Sequence, residues 1–200
     1  MELTSLCDRL NQKMEVLVIV HYPDDYIQFL VHFHGDRDYF ECHEILEEYW
    51  KEHTDREKNS VWVGLIQLAV ALYHHRRENF KGAATMLKQS KYKISAFTDE
   101  AANLGLNTEA LLHLISEIES AVLVRSPYQS VMLPITDDTL LQACRNECHR
   151  KGFIWGEKSN MNDEALIDRH KLRDRSDVIS LRKQALLTRS KMNSASDTVD

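Results

Sequence analysis

Along the chain, apolar residues return every three or four positions over long stretches that are broken by short runs of Gly, Pro, Asn, Asp or Ser. This rhythm predicts helices joined by tight turns. Pro23 opens the first helix: Tyr26, Phe29, Leu30 and Phe33 share one face, and Gly35 supplies a stop. The second begins after Asp38, whose carboxylate can accept from first-turn amides while Glu41 reaches back to complete a capping box, and it ends near His53. Asn59 or Ser60 caps the third, SVWVGLIQLAVALYHHRRENF, which is apolar on most sides and is expected to be the central, most buried helix. Asn79 starts the fourth, NFKGAATMLKQSKYKISAF. The turn Gly105-Leu106-Asn107 with Thr108 then sets off a fifth, EALLHLISEIESAVLV.

From Ser126 the composition shifts. SPYQSVMLPIT, with two prolines, predicts an extended segment over the helices, after which Asp137 or Asp138 caps a short helix ending near Lys151. Residues 152–162 are expected to be a linker. The charge-dense DEALIDRHKLRDRSDVISLRKQALLTRSKM carries Leu166, Ile167, Val178, Ile179, Leu181, Leu186 and Leu187, which predicts a helical appendage docking on the body or on a protein partner. Its NSASDTVD end is expected to be disordered. The organisation is therefore an N-terminal extension (1–21) that starts with helical spacing and ends in a β-branched run, a helical domain (22–151), and a linker with appendage (152–200). The fold class is all-α: a multihelical bundle of five or six helices with an extended proline-containing segment and a C-terminal helical appendage.

Composition agrees with that reading. The 200 residues are 43% hydrophobic and 28% charged, and six Gly and three Pro are too few for a loop-rich β fold. A net charge of -6 argues against a broad nucleic-acid surface. The basic clusters HHRRENFK (from His74) and RHKLRDRSD (from Arg169) are interleaved with acids and read as solvated faces. Apolar runs such as Val16 to Val20 and Leu68 to Tyr73 are far too short to span a bilayer, and no cleavage site follows the first, so a cytoplasmic protein without a membrane segment is expected. Cys7, Cys42, Cys144 and Cys148 are irregularly spaced and read as reduced thiols; Cys144, Cys148 and His149 lack the further ligands of a structural zinc site. His32 and His34 close the first helix, where solvated histidines suit the dipole.

The candidate chemistry lies on the second and third helices. At about 100° per residue, His43 shares a narrow arc with Tyr39, Leu46 and Trp50, while Glu47 lies beside it and Glu44 at its edge. On the third helix Gly64, Gln67, Ala71 and His74 line up, small enough for a close neighbour. The two faces are therefore expected to pack together and bury His43, Glu47, Gln67 and His74, each needing a partner because an unpaired buried polar group costs about 1–3 kcal/mol. Three readings follow: a satisfied structural network; a divalent-metal site for Zn, Fe or Mn with His43, Glu47 and His74 as ligands; or metal-free acid–base or small-ligand chemistry, with His43 as proton shuttle and Glu44 or Glu47 setting its tautomer. In a site protein Glu44 is the candidate base, and Trp50 and Gln67 are the candidate ligand contacts. His43-Glu44 is half of a zincin motif, but position 47 is glutamate, which removes the metalloprotease reading. Phosphate-loop and Gly-x-Ser-x-Gly patterns are absent from the sequence.

The strings HGDRDYFECHEILEEYW, GLIQLAVALYHHRRENFKGA and SPYQSVMLPI resemble the helical proteins of domain-of-unknown-function family 309 (DUF309). The likeness runs from about Tyr22 to Cys148 through the spaced set His43, Glu44, Glu47, Trp50, Gln67, His74, Asn79 and Gly82. HKLRDRSDVI resembles an addition in the Bacillus-like branch, and residues 1–20 fall outside the pattern. The resemblance implies an all-helical fold and supplies no activity, substrate or cofactor. Two functional classes remain: a metal- or small-ligand-dependent site protein, and a noncatalytic adaptor whose polar cluster fixes helix pairing while the appendage binds a partner.

Overall fold

The long helices start where short polar side chains can take up a free first-turn amide. The computed structural model describes residues 21–172, in the order α1 (Asp24–His34), α2 (Tyr39–His53), α3 (Val61–Arg76), α4 (Phe80–Ala96), α5 (Thr98–Asn103), α6 (Thr108–Leu123), α7 (Asp138–Arg150), α8 (Glu164–Ile167) and α9 (Arg169–Leu172). The extension 1–20, the apolar positions from Val178 to Leu187 and the NSASDTVD end lie outside the described residues. Asp38, Ser60, Asn79, Asn107 and Asp137 each accept from the backbone N–H three residues on. The capping box at α2 forms by half. The Asp38 N–H turns to Asp36 Oδ1 at 3.2 Å, and Glu41 points to Arg169 at 3.7 Å instead of reaching back.

Successive packing partners run in the order α7–α1–α2–α3–α4–α6, with α3 in the middle and buried on nearly every side, as its all-round apolar sequence predicts. Its approach to α4 is close. A Cβ on Gly64 would meet Ile94 Cγ1 at 3.0 Å, and Ser90 Oγ donates to the Gly64 carbonyl at 2.7 Å. The six-residue α5 was not expected, because a stretch that short carries no period to detect. Among the described residues there is no named strand, only an antiparallel bridge between Leu106 and Ile135 that pins the extended segment across the start of α6. The Asn107 N–H donates to Pro134 O and the Thr136 N–H to Gly105 O, each at 2.8 Å. None of the described helices is long and apolar enough to cross a membrane.

Three expectations about polar residues need correction. Residues 152–162, read as a linker, lie against the bundle: Phe153 and Trp155 pack on the core, and the Gly156 N–H donates to His34 O at 2.8 Å. The basic cluster HHRRENFK is not a wholly solvated face either, since His75 and Arg76 are buried. His34 is likewise buried and stacks on Trp155 with ring centroids 4.4 Å apart. Cys42, Cys144 and Cys148 are free and buried, and burial pushes the Cys144 thiol up to about 12 and the Cys148 thiol to about 11. These are inert packing thiols, as the spacing suggested.

Candidate functional site

The buried stripe of α2 is Tyr39, Cys42 and Leu46. Cys42 behaves as a small hydrophobe, and counting it moves the centre of the stripe away from His43 on the helical wheel. His43 thus stands on the flank, its side chain 28% exposed, with Glu44 and Glu47 at 33% and 34%. The expected burial of these groups is not found. They do converge: His43 Nδ1 lies 3.1 Å from Glu44 Oε1, and His43 Nε2 lies 3.5 Å from Glu47 Oε2. Lys51 Nζ holds the other Glu47 oxygen at 3.0 Å. One ligand atom from each of His43, Glu44 and Glu47 falls within 4.8 Å of the others.

The small-residue line of α3 does not face α2. Gly64 abuts α4, and Gln67 Nε2 donates to Gln89 Oε1 on α4 at 2.7 Å, so Gln67 has no part in the His43 cluster. His74, at the far end of the same line, meets the first turn of α4, where its Nδ1 lies 3.1 Å from Asn79 Nδ2. Trp50 is also occupied, donating from Nε1 to Glu57 O at 2.9 Å and so tying the α2–α3 loop to the helix. His43 and His74 nonetheless share a cavity of about 230 Å³ between α2 and α3, walled by Tyr39, Phe40, Val70 and Tyr73. On the other side of Phe40 opens a cleft of about 830 Å³, in which Glu41, Glu44, Glu47, Glu48 and Glu52 outnumber three basic residues.

The first part of the C-terminal appendage closes over this region. Its Ala165 and Arg169 line the acidic cleft, and His170 lines the smaller cavity. Arg77 Nε pairs with Asp168 Oδ1 at 2.6 Å, Tyr73 Oη meets His170 Nδ1 at 2.7 Å, and the Arg169 guanidinium pairs with the buried Asp38 carboxylate. Within residues 163–172 the appendage therefore docks on its own body. Arg169→Ala is expected to raise amide exchange across 164–170 while leaving exchange in α3 and α4 unchanged; equal protection in the variant would show that the ion pair does not hold this segment.

Two arginines that sequence reasoning placed at the surface or did not single out form the hub beneath it. Arg37 is 1% exposed: its Nε donates to Glu157 O at 2.7 Å, its Nη1 to Phe33 O at 2.9 Å and to Val131 O at 2.6 Å, and its Nη2 to Met132 Sδ at 3.3 Å. Arg76 donates to Arg37 O at 2.7 Å, Ser159 Oγ at 3.2 Å and Leu166 O at 3.0 Å, and its guanidinium sits 5.1 Å from the centre of the Tyr39 ring. Between them they fasten the extended segment, the 152–162 stretch and the appendage to the corners of α1, α2 and α3.

A family model described as "Domain of unknown function (DUF309)" matches residues 26–86, which hold α1 to the first part of α4 and every candidate site residue named from the sequence. The chain is similar to "Uncharacterized protein YpuF" of Bacillus subtilis (strain 168), 48% identical over 170 residues that make up 85% of this chain and 98% of that protein. No solved structure matches.

Proposed function

The chain belongs to the DUF309 family, and from the geometry of α2 we propose that it is a divalent-cation-binding helical protein whose ion lies between His43, Glu44 and Glu47. The observation that carries this reading is the convergence of one imidazole nitrogen and two carboxylate oxygens within 4.8 Å on a single helix. An imidazole with two carboxylates suits Zn, Mn or Fe(II), and three protein ligands leave coordination positions for water or a substrate. The set differs from His43, Glu47 and His74: Glu44 takes the place of His74, and so becomes a ligand where a base was expected. Lys51 supports it from outside by occupying Glu47 Oε1, which turns Oε2 toward the ion. The excess of glutamates along the adjoining cleft favours a cation there. Cytoplasmic residence fits the three free, buried cysteines.

Titration calorimetry of tag-free protein with Zn(II) and Mn(II) tests it. One ion per chain, proton release on binding, and about a tenfold or greater loss of affinity in His43→Ala with unchanged helicity are expected. If no saturable heat appears, or the variant binds as well as the parent, the three groups are an ion-pair network on the rim of α2 and the adaptor reading stands in its place.

A further inference from the structure

The cavity between α2 and α3 holds a local device that the cation site does not use. Asn79 caps α4 by accepting the Gly82 N–H at Oδ1, 3.0 Å away. This fixes its amide, because the flipped orientation would set an NH₂ against an N–H. The Nδ2 group, always a donor, is then left facing His74 Nδ1 at 3.1 Å. His74 Nδ1 must accept, so the ring proton resides on Nε2. Gly82 makes room for this: a Cβ there would come within 2.7 Å of Asn79 Nδ2 and 3.0 Å of His74 Cδ2.

A protonated imidazolium would put an Nδ1–H against the Asn79 NH₂, and burial, followed by the charges of Arg77 and His170, also lowers the His74 pKa. At neutral pH His74 is a neutral Nε2–H donor and offers no lone pair to a metal. Among the described residues nothing pairs with that Nε2. Beside it, Arg77 has its Nε taken by Asp168, while its Nη groups have no hydrogen-bond partner among the described residues. The polar groups these two residues present are therefore donors, while Tyr39, Phe40, Val70 and Tyr73 supply an aromatic and aliphatic wall. A volume of about 230 Å³ suits one ring with one substituent, since a dry cavity of roughly 150 Å³ already holds benzene.

We propose that this cavity binds a small monocyclic carboxylate, its ring against Phe40, Val70 and Tyr73 and its carboxylate receiving from His74 Nε2–H and from Arg77. His43 also lines this cavity, so the test is run in EDTA to keep any ion off that residue. Full-length protein is titrated with benzoate and with its neutral isostere benzamide, and the histidine tautomer is read from long-range ¹H–¹⁵N spectra. Benzoate is expected to saturate a single site and to bind about tenfold or more tightly than benzamide, and His74→Ala is expected to weaken benzoate about tenfold.

Asn79→Asp gives the sharper outcome. Aspartate still caps Gly82 with one oxygen but offers an acceptor to His74 Nδ1, so the ring proton moves to Nδ1 and Nε2 becomes an acceptor. Benzoate binding should then fall below that of benzamide, with the tautomer change visible in the spectra. The proposal is overturned if the parent protein carries its His74 proton on Nδ1, if benzoate shows no saturable binding, or if His74→Ala binds benzoate as the parent does.

Discussion

Arg37→Met is expected to lower the unfolding free energy by about 3–5 kcal/mol, a large part of what a single domain of this size possesses. Methionine keeps much of the aliphatic volume but strands the carbonyls of Phe33, Val131 and Glu157, which now receive charged N–H groups at 2.6 to 2.9 Å. Each buried orphan costs about 1–3 kcal/mol, and recovery of the guanidinium's own desolvation cost offsets part of the sum. Lysine should not rescue, because one ammonium on a flexible stem cannot serve three carbonyls arriving from different segments. Urea unfolding gives the magnitude, and hydrogen exchange should show residues 152–160 opening first. A loss below about 1 kcal/mol would mean that the apolar packing of Phe153 and Trp155 holds this stretch without the guanidinium.

The second large effect is acid destabilisation through His34. Burial, and next the charge of Arg37, lowers its pKa from the ordinary 6.5 to about 3. The sign follows from proton counting: between pH 6.5 and 3 the unfolded chain binds a proton that the folded one refuses. Stability therefore falls as the pH drops through this window, and above pH 6.5 the group contributes no slope. At pH 4.5 the loss amounts to about 2–3 kcal/mol, two pKa intervals at 1.36 kcal/mol each. Asp38 opposes it, since burial raises that carboxyl, so the clean measurement is a difference curve against His34→Phe. Phenylalanine keeps the stack on Trp155 and removes an Nε2 that is buried without a partner, so the variant should match the parent at pH 7 and be the more stable of the two at pH 4.5. Parallel curves for the two proteins would rule out His34 as the titrating group.

Helices and caps were legible because their signals are local. Asp38, Ser60, Asn79 and Asp137 lie three positions from the amides they accept, and the apolar period of α1, α2 and α4, like the all-round apolar run of α3, is contained in each segment. The face of α2 was misjudged through one residue: a thiol counts as core, and leaving Cys42 out of the wheel put His43 at the centre of the stripe. Which neighbour a face meets is not local at all. The Gly64–Ala71 line was rightly read as a close-approach surface but assigned to α2, when the serine and isoleucine that fit it, Ser90 and Ile94, stand on α4. Arg37 and Arg76 were out of reach for a related reason. Arginine is ordinarily exposed, and the acceptors that pay for its burial come from turns and extended backbone whose carbonyls carry no sequence signature. The His74–Asn79–Gly82 arrangement, by contrast, could have been found: a capping asparagine five residues after a histidine, across a three-residue turn, points its amide back at the ring.

The acceptors of Arg37 also have an order in time. Val131 and Glu157 lie 94 and 120 positions downstream, so on a ribosome the corner between α1 and α2 emerges long before the carbonyls that accept from its guanidinium. Until then the guanidinium has to stay hydrated and the corner ajar. A nascent chain released at residue 86, where the family match stops, would contain the helices of the candidate site without the means to seal them. The backbone around Val131 and Glu157 thus acts as a late-arriving clasp on the corner between α1 and α2, and stalling translation before residue 157 should leave α1 open to protease.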